Sequence, residues 1–281
     1  MFSIIIPTFN NLEYLKLCIQ SIKKNSKFNH EIITCVNSSK DGTLDYVKKF
    51  KIKHLYNEEN LGLCKATNDG VKISTQKYIV YAHDDMYFCP DWDTEFVKEI
   101  HKINHKNFYL SGTMIQPFKS FIYLDCGKTI NEFNEQKLLK NYKLINFHDF
   151  QGSTWAPSLI PKVTWEKVGG FSEEYGPGLG SDPDFNMKLW KIGVRIFKGV
   201  SNSRVYHFGS ISLRKKIWND GHKIFLRKWG ISIKFFKKYY LKSHENYNGP
   251  LKEPNMSISL ILSYVVCKLK FFQLKLANIG K

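Results

Sequence analysis

The sequence predicts an α/β fold: a mostly parallel sheet flanked by helices, followed by a helical, basic C-terminal extension. Three observations carry this. Apolar β-branched runs and amphipathic helical segments alternate as β-α-β-α-β-α-β through residues 2–82, and strands joined by helical crossovers at such short spacing lie parallel in one sheet. The opening run, Phe2 to Ile6, is almost continuously apolar, as a strand covered on both faces is. From about residue 211 the composition changes to interleaved basic and aromatic residues. These features divide the chain into a domain at residues 1–210 and an extension at residues 211–281.

The elements follow in order. Phe2 to Ile6 is ended by Pro7. Thr8-Phe9-Asn10 then turns, with Asn10 as N-cap, into a helix whose apolar residues Leu12, Leu15, Leu17, Cys18, Ile19 and Ile22 fall at helical spacing. Glu31 to Val36 is the second strand, and Asp41-Gly42-Thr43 opens a short helix through Val47. Ile52 to Tyr56 is the third strand, Gly62 to Ile73 the third helix, and Tyr78 to Ala82 the fourth strand. A helix from Asp91 to Ile103 and a strand from Phe108 to Ile115 come next; residues 116–150 are mixed. Trp155 to Ile160 reads as a strand and Pro161 to Val168 as a helix stopped by Gly169-Gly170. Gly176 to Gly180 is a Gly-rich loop. The next helix has Asp182 near its N-cap, Pro183 at its first position and Gly193 behind it. Val194 to Phe197 and Arg204 to Phe208 read as two short closing strands. A polar link at His244 to Pro254 leads to an apolar, then basic, stretch from Ile258 to Lys275.

Lys and Arg number 42 against 25 acidic residues, a formal charge of +17. Such an excess implies an anionic partner: nucleotide, phospholipid surface or nucleic acid. The six cysteines have neither metal-ligand nor redox spacing and read as buried thiols in a reducing compartment. No signal-peptide pattern opens the chain. The longest uncharged apolar stretch, near Met256 to Cys267, is shorter than the roughly 20 residues a spanning helix needs. A cytoplasmic protein is expected.

The fourth strand runs into His83-Asp84-Asp85. Ligands of open α/β sheets bind off the carboxyl ends of the strands, and two adjacent carboxylates repel unless a cation or a shared proton intervenes. A divalent ion is the economical answer, and oxygen ligands suit Mg²⁺ or Mn²⁺; a solvated polar turn is the plain one. Other residues carry paired readings too. Asp182 and Asp184 suit the positive end of their helix, Asp41 a cap more than a ligand contact, His207 a structural role, and Trp155 either a core position or a stacking platform. The basic-aromatic tail suits nucleic acid or an anionic membrane, and no nucleic-acid fold signature accompanies it.

Taken together, the segments resemble the family 2 glycosyltransferases with the GT-A fold. Residues 2–10 look like the opening strand and nucleotide loop, residues 37–43 like the second loop, and Asn60-Leu61-Gly62 with Ala66 and Asn68 like the third. His83-Asp84-Asp85 falls where the metal-binding carboxylates fall. Gly169-Gly170-Phe171 and Ser181-Asp182-Pro183-Asp184-Phe185 resemble the acceptor-side loop and the segment bearing the catalytic base. The resemblance covers about residues 1–210, and six pieces in the right order make it specific.

The resemblance implies an inverting, metal-dependent transfer of a sugar from a nucleotide-diphosphate donor to a hydroxyl of a glycan or lipid-linked acceptor. Surface polysaccharide synthesis is the implied setting. By the same resemblance Pro7, Thr8, Asn10, Asn37, Asn60 and Asp84 lie along the nucleotide, and Asp85 and His207 bind Mn²⁺ or Mg²⁺. Asp182 is the general base with Asp184 in support, and Trp155 and Gly180 lie on the acceptor or sugar side. Two departures stand out. His83 occupies the first acidic position, as a group behind the metal ligands or as a bystander. Val36-Asn37 replaces an acidic residue that reads the base in many relatives. A peripheral contact of the extension with the inner face of an anionic membrane fits this class better than nucleic acid. The alternatives are a nucleotidyltransferase, which usually has a Gly-rich, Lys/Arg-bearing loop after its first strand where this chain has Pro7-Thr8-Phe9-Asn10, and a non-catalytic basic binding module.

Overall fold

A computed structural model of the chain describes residues 1–103, 107–118, 120, 122–209 and 220–279. The first half builds β1 (Phe2–Thr8), α1 (Leu12–Asn25), β2 (Glu31–Asn37), α2 (Thr43–Lys49), β3 (Lys53–Asn57), α3 (Gly62–Lys72) and β4 (Tyr78–Tyr81). These strands stand side by side, all parallel, in the order β3-β2-β1-β4, with Ile4 opposite both Ile32 and Val80. β1 is buried along its whole length, since α3 covers one face and α1 belongs to the same apolar core. Gly70 allows the close approach of α3: a Cβ there would meet Cys35 Sγ and Ile5 Cγ2.

The second half widens the sheet with strands of both directions. It adds β5 (Met86–Phe88), α4 (Trp92–Lys102), β6 (Tyr109–Gln116), β7 (Ile122–Tyr123), α5 (Glu135–Asn141), β8 (Phe150–Gln151), β9 (Ser158–Pro161), α6 (Lys162–Lys167), α7 (Ser181–Lys191) and β10 (Phe197–His207). The sheet continues past β4 as β9-β6-β10-β5, with β9 antiparallel to both neighbours, β10 parallel to β6 and β5 antiparallel to β10. Ile122, Leu138 and Tyr142, among the described residues of the stretch after β6, cover this end through a second apolar cluster with Tyr87, Ile115, Tyr206 and Phe208.

Several local expectations change. The two closing strands are one strand, β10, with a register shift between Gly199 and Arg204 that Asp149 satisfies by accepting from the Ser201 N–H at 2.8 Å. A bulge of this kind breaks the apolar pattern without breaking the strand. Pro161 both ends β9 and takes the cap position of α6, which begins at Lys162. Pro183 is the third residue of α7, not the first, because Gly180 takes the cap position at φ +91°. Asn10 does not cap α1. That helix begins after Asn11, and its first N–H, from Leu12, bonds Asp41 Oδ2 at 2.8 Å.

The expected domain boundary and the residues Arg214, Lys215, Lys216 and Trp218 lie outside the described residues. Beyond them α8 (Gly221–Trp229), α9 (Ile233–Phe235), a π turn over Phe236–Tyr240 and α10 (Ile258–Ile279) form the helical extension. Phe225, Phe235, Phe236 and Leu241 join the same apolar cluster as the sheet. Among the described residues no helix is long and apolar enough to cross a membrane.

Candidate active site

Four loops gather at the carboxyl ends of the parallel strands, and their side chains tie them to one another. Asp41 accepts from the N–H groups of Leu12 and Thr43, so it joins the first and second loops as a structural residue. Asn10 Oδ1 accepts from the Lys40 N–H at 2.7 Å and reinforces the same joint. Asn37, buried at the end of β2, donates to the Gly62 carbonyl and accepts from Asn57, while Asn60 accepts from the Gly62 N–H. The predicted nucleotide residues therefore share one rim. Pro7 lies within β1, paired with Cys35. Thr8 Oγ1 donates to Asp84 Oδ2 at 2.7 Å, linking the first loop to the acidic tip of β4.

At that tip the structure assembles residues far apart in sequence. β5 pairs with β10 so that Met86 faces His207, and the Asp85 carbonyl accepts from the Phe208 N–H. This register brings Asp85 Oδ1 to 3.2 Å from His207 Nε2. His83 Nδ1 stands 3.5 Å from the same nitrogen. Ligand atoms of His83, Asp85 and His207 all lie within 4.8 Å of one another. His83, read from the sequence as a group behind the ligands or a bystander, is here part of the cluster itself. Burial and the neighbouring His207 push its pKa down to about 4, so its ring is neutral and able to ligate.

The surroundings orient these groups. Tyr81 hydroxyl lies 3.0 Å from His83 Nε2, and the Gln116 amide lies 3.0 Å from His207 Nδ1. Burial and the adjacent Asp85 drive the Asp84 carboxyl up to about 7. The Asp85 carboxylate with the imidazoles of His83 and His207 forms a donor set that fits a borderline divalent cation such as Mn²⁺, and a cation there would relieve the repulsion that Asp85 exerts on Asp84.

Asp182 lies on the first turn of α7, close enough to Tyr81 to act on its phenol, which also feels Asp84. Tyr81 thus lies near both the acidic tip and Asp182. Loss of water pushes the Asp182 carboxyl up to about 7, with Lys237 of the extension as the opposing charge. Asp184, two residues on, is fully buried and held differently. It accepts from Ser172 Oγ at 2.6 Å and Trp229 Nε1 at 2.7 Å, and its Oδ1 lies 3.1 Å from Lys228 Nζ. Its partners anchor α8 to α7.

The two residues expected on the acceptor side are engaged in packing. Trp155 is stacked by the rings of Phe150 and His244, at centroid distances of 5.4 and 5.7 Å. Gly180 has positive φ, and a Cβ there would lie 3.0 Å from the Tyr175 ring and 3.1 Å from the Gly221 carbonyl, so backbone shape and packing account for the glycine. Sequence reasoning missed Tyr81, Gln116, Lys228, Trp229 and Lys237. Tyr81 reads as a strand residue and Gln116 lies in the unpatterned stretch. The last three belong to the basic-aromatic run, whose composition suggested only a surface.

Comparison with known proteins bears on the family and the fold. The model of "Glycosyl transferase family 2" matches residues 3–156. An uncharacterized glycosyltransferase of Rickettsia prowazekii is 30% identical over 220 residues, which are 76% of this chain and 63% of that protein. The hyaluronan synthase of Pasteurella multocida is 24% identical over 76% of this chain and 21% of its own length. Among solved structures, Staphylococcus aureus TarS 1-349 in complex with UDP-GlcNAc superposes with a TM-score of 0.62 at 14% identity, over 96% of this chain and 71% of that one. GalNAc-T7 with UDP, GalNAc and Mn²⁺ gives 0.60 at 17% identity, over 84% and 49%. These likenesses establish the GT-A fold, and with the family pattern running through more than half of its residues the chain belongs to glycosyl transferase family 2.

Proposed function

We propose that the chain is a metal-dependent, inverting glycosyltransferase that moves a sugar from a nucleotide-diphosphate donor to a hydroxyl of a glycan or lipid-linked acceptor, in the synthesis of a surface polysaccharide. The observation that carries this reading is the convergence of Thr8, Asp84, Asp85 and His207 at the strand ends, with Asp182 near enough to act on Tyr81 beside them. UDP, UDP-GlcNAc and Mn²⁺ in the solved relatives, and the polysaccharide synthase among the sequence relatives, point the same way.

In this reading the nucleotide lies along the rim formed by Pro7, Thr8, Asn10, Asn37, Asn60 and Asp84. Asp85, His207 and His83 would hold Mn²⁺ or Mg²⁺, which when bound neutralises charge on the diphosphate leaving group. Tyr81 and Gln116 set the faces of the two imidazoles. Asp182 takes the proton from the acceptor hydroxyl as that oxygen attacks the anomeric carbon. The bond from that carbon to the phosphate oxygen breaks on the opposite side, and the nucleoside diphosphate leaves with the electron pair. A single displacement inverts the centre. A carboxyl raised to about 7 suits this task, because its conjugate base is strong enough to help and about half of it is ionised at neutral pH. Asp184 supports the base by fixing the first turn of α7.

Thermal unfolding across a panel of nucleoside diphosphates, with Mn²⁺ or with chelator, tests the proposal. One nucleotide should stabilise the protein only when Mn²⁺ is present, and Asp85→Ala should remove that dependence. Stabilisation by no nucleotide, or equal stabilisation with chelator, would overturn the donor and metal assignments.

A further inference from the structure

We propose that α10 is a membrane-docking helix, which lays one apolar face into an anionic bilayer while its other face stays packed on the enzyme. The proposal rests on the reading of a transferase with a surface-bound acceptor and names the element that would bring it there. Among the described residues, Leu260 and Cys267 of α10 are buried, Phe271 and Leu274 are partly buried, and the helix packs on α8 and α9. On the opposite side Ile258, Ile261, Leu262, Val265, Leu269, Phe272 and Leu276 are 44–79% exposed. Their spacing of three, four, seven, eleven, fourteen and eighteen from Ile258 puts them on one stripe of the helix, about 27 Å long at 1.5 Å per residue. A helix apolar on both faces is covered on both faces in its working state.

Charge selects the occupant. Residues 258–281 contain no Asp or Glu, and Lys268, Lys270 and Lys275 flank the exposed stripe. Lys268 and Lys275 lie along one edge, 4.9 Å from the rings of Tyr264 and Phe271 respectively, while Lys270 is exposed toward the other edge. Pairing the stripe with that of a second copy would set lysines against lysines with no carboxylate between them. Anionic headgroups would neutralise both edges while the acyl region takes the apolar residues, which is the pattern of a helix lying in the interface. The net charge of +17 adds long-range attraction of the same sign.

Co-sedimentation of the full chain with vesicles tests this. The protein should pellet with phosphatidylglycerol-containing vesicles, at least tenfold less with pure phosphatidylcholine, and less as salt is raised. The triple variant Leu262→Glu/Leu269→Glu/Phe272→Glu should stay in the supernatant, while its Mn²⁺-dependent response to nucleoside diphosphates, measured without vesicles, is unchanged. Wild-type protein that ignores anionic vesicles would overturn the proposal. A dimer seen by light scattering and dissolved by the triple variant would overturn it in favour of a second copy. Failure of the nucleotide response with vesicle binding intact would strike the transferase reading and leave the docking helix standing.

Discussion

The acidic tip of β4 and the first turn of α7 each carry two aspartates, and the protein treats the two pairs differently. At α7 the pair is split. Asp184 is fully buried and satisfied by Ser172, Trp229 and Lys228, whereas Asp182 makes no ion pair among the described residues and has a carboxyl pushed up to about 7. At β4 Asp84 bonds Thr8, Asp85 faces His207, and Asp84 is likewise pushed up to about 7. A carboxylate matched by fixed donors holds structure together, while one left buried and unmatched keeps an unfavourable charge that only a proton, a cation or a substrate relieves. In the proposed reading the chemistry falls to Asp182 and the β4 tip, while the contacts of Asp184 anchor α8 to α7.

The sharpest way to break this contrast is to neutralise each α7 aspartate in turn. Asp182→Asn should lower sugar transfer by about 10²–10⁴-fold, the usual contribution of a general base, with nucleotide affinity and unfolding temperature nearly unchanged. Activity assays beside thermal unfolding decide this, and normal transfer by the variant would end the base assignment. Asp184→Ala should act on the fold. Removing one partner of a buried pair costs about 3 kcal/mol, a fall in Tm of about 5–10 °C for a chain of this size. If the unfolding temperature held and only the turnover fell, the anchoring role would be wrong.

Smaller effects refine the comparison. Gln116→Leu leaves His207 without its partner at Nδ1 and should weaken Mn²⁺ binding about 10–100-fold, read by metal titration of the nucleotide-induced stabilisation. The smallest expected effect comes from Lys237, whose charge holds the Asp182 carboxyl below where burial alone would put it. The base acts ionised, so transfer should rise with pH through about 7 and level off above it. Lys237→Met removes the opposing charge, raises the carboxyl further and should move that rise to higher pH. An unmoved pH profile would show that Lys237 does not reach Asp182 in the working enzyme.

Much of the first half was legible because its signals are local. The run Phe2 to Ile6, the helical spacing from Leu12 to Ile22 and the turn at Asp41-Gly42-Thr43 each lie within a few residues, and the structure places strands and helices there. The β10 bulge was misread as a gap because a register shift interrupts apolar patterning as a loop does. The capping of α1 by Asp41 was missed because the donor and acceptor are 29 residues apart. In the extension, Lys228 and Trp229 looked like surface residues, since composition does not reveal that a buried Asp184 lies opposite them.

By itself, the sequence determined the order of strands and helices through β4, the loops at the parallel strand ends and the family resemblance. These follow from periodicity, turn chemistry and motif order, all written along the chain. Only the tertiary structure decided that His83 joins Asp85 and His207, that Tyr81 lies near both this cluster and Asp182, and that Ser172, Trp229 and Lys228 hold Asp184 while Asp182 makes no ion pair among the described residues. Those outcomes depend on strand register and helix packing between residues 40 to 125 positions apart, where the energy of a contact has no trace in local composition.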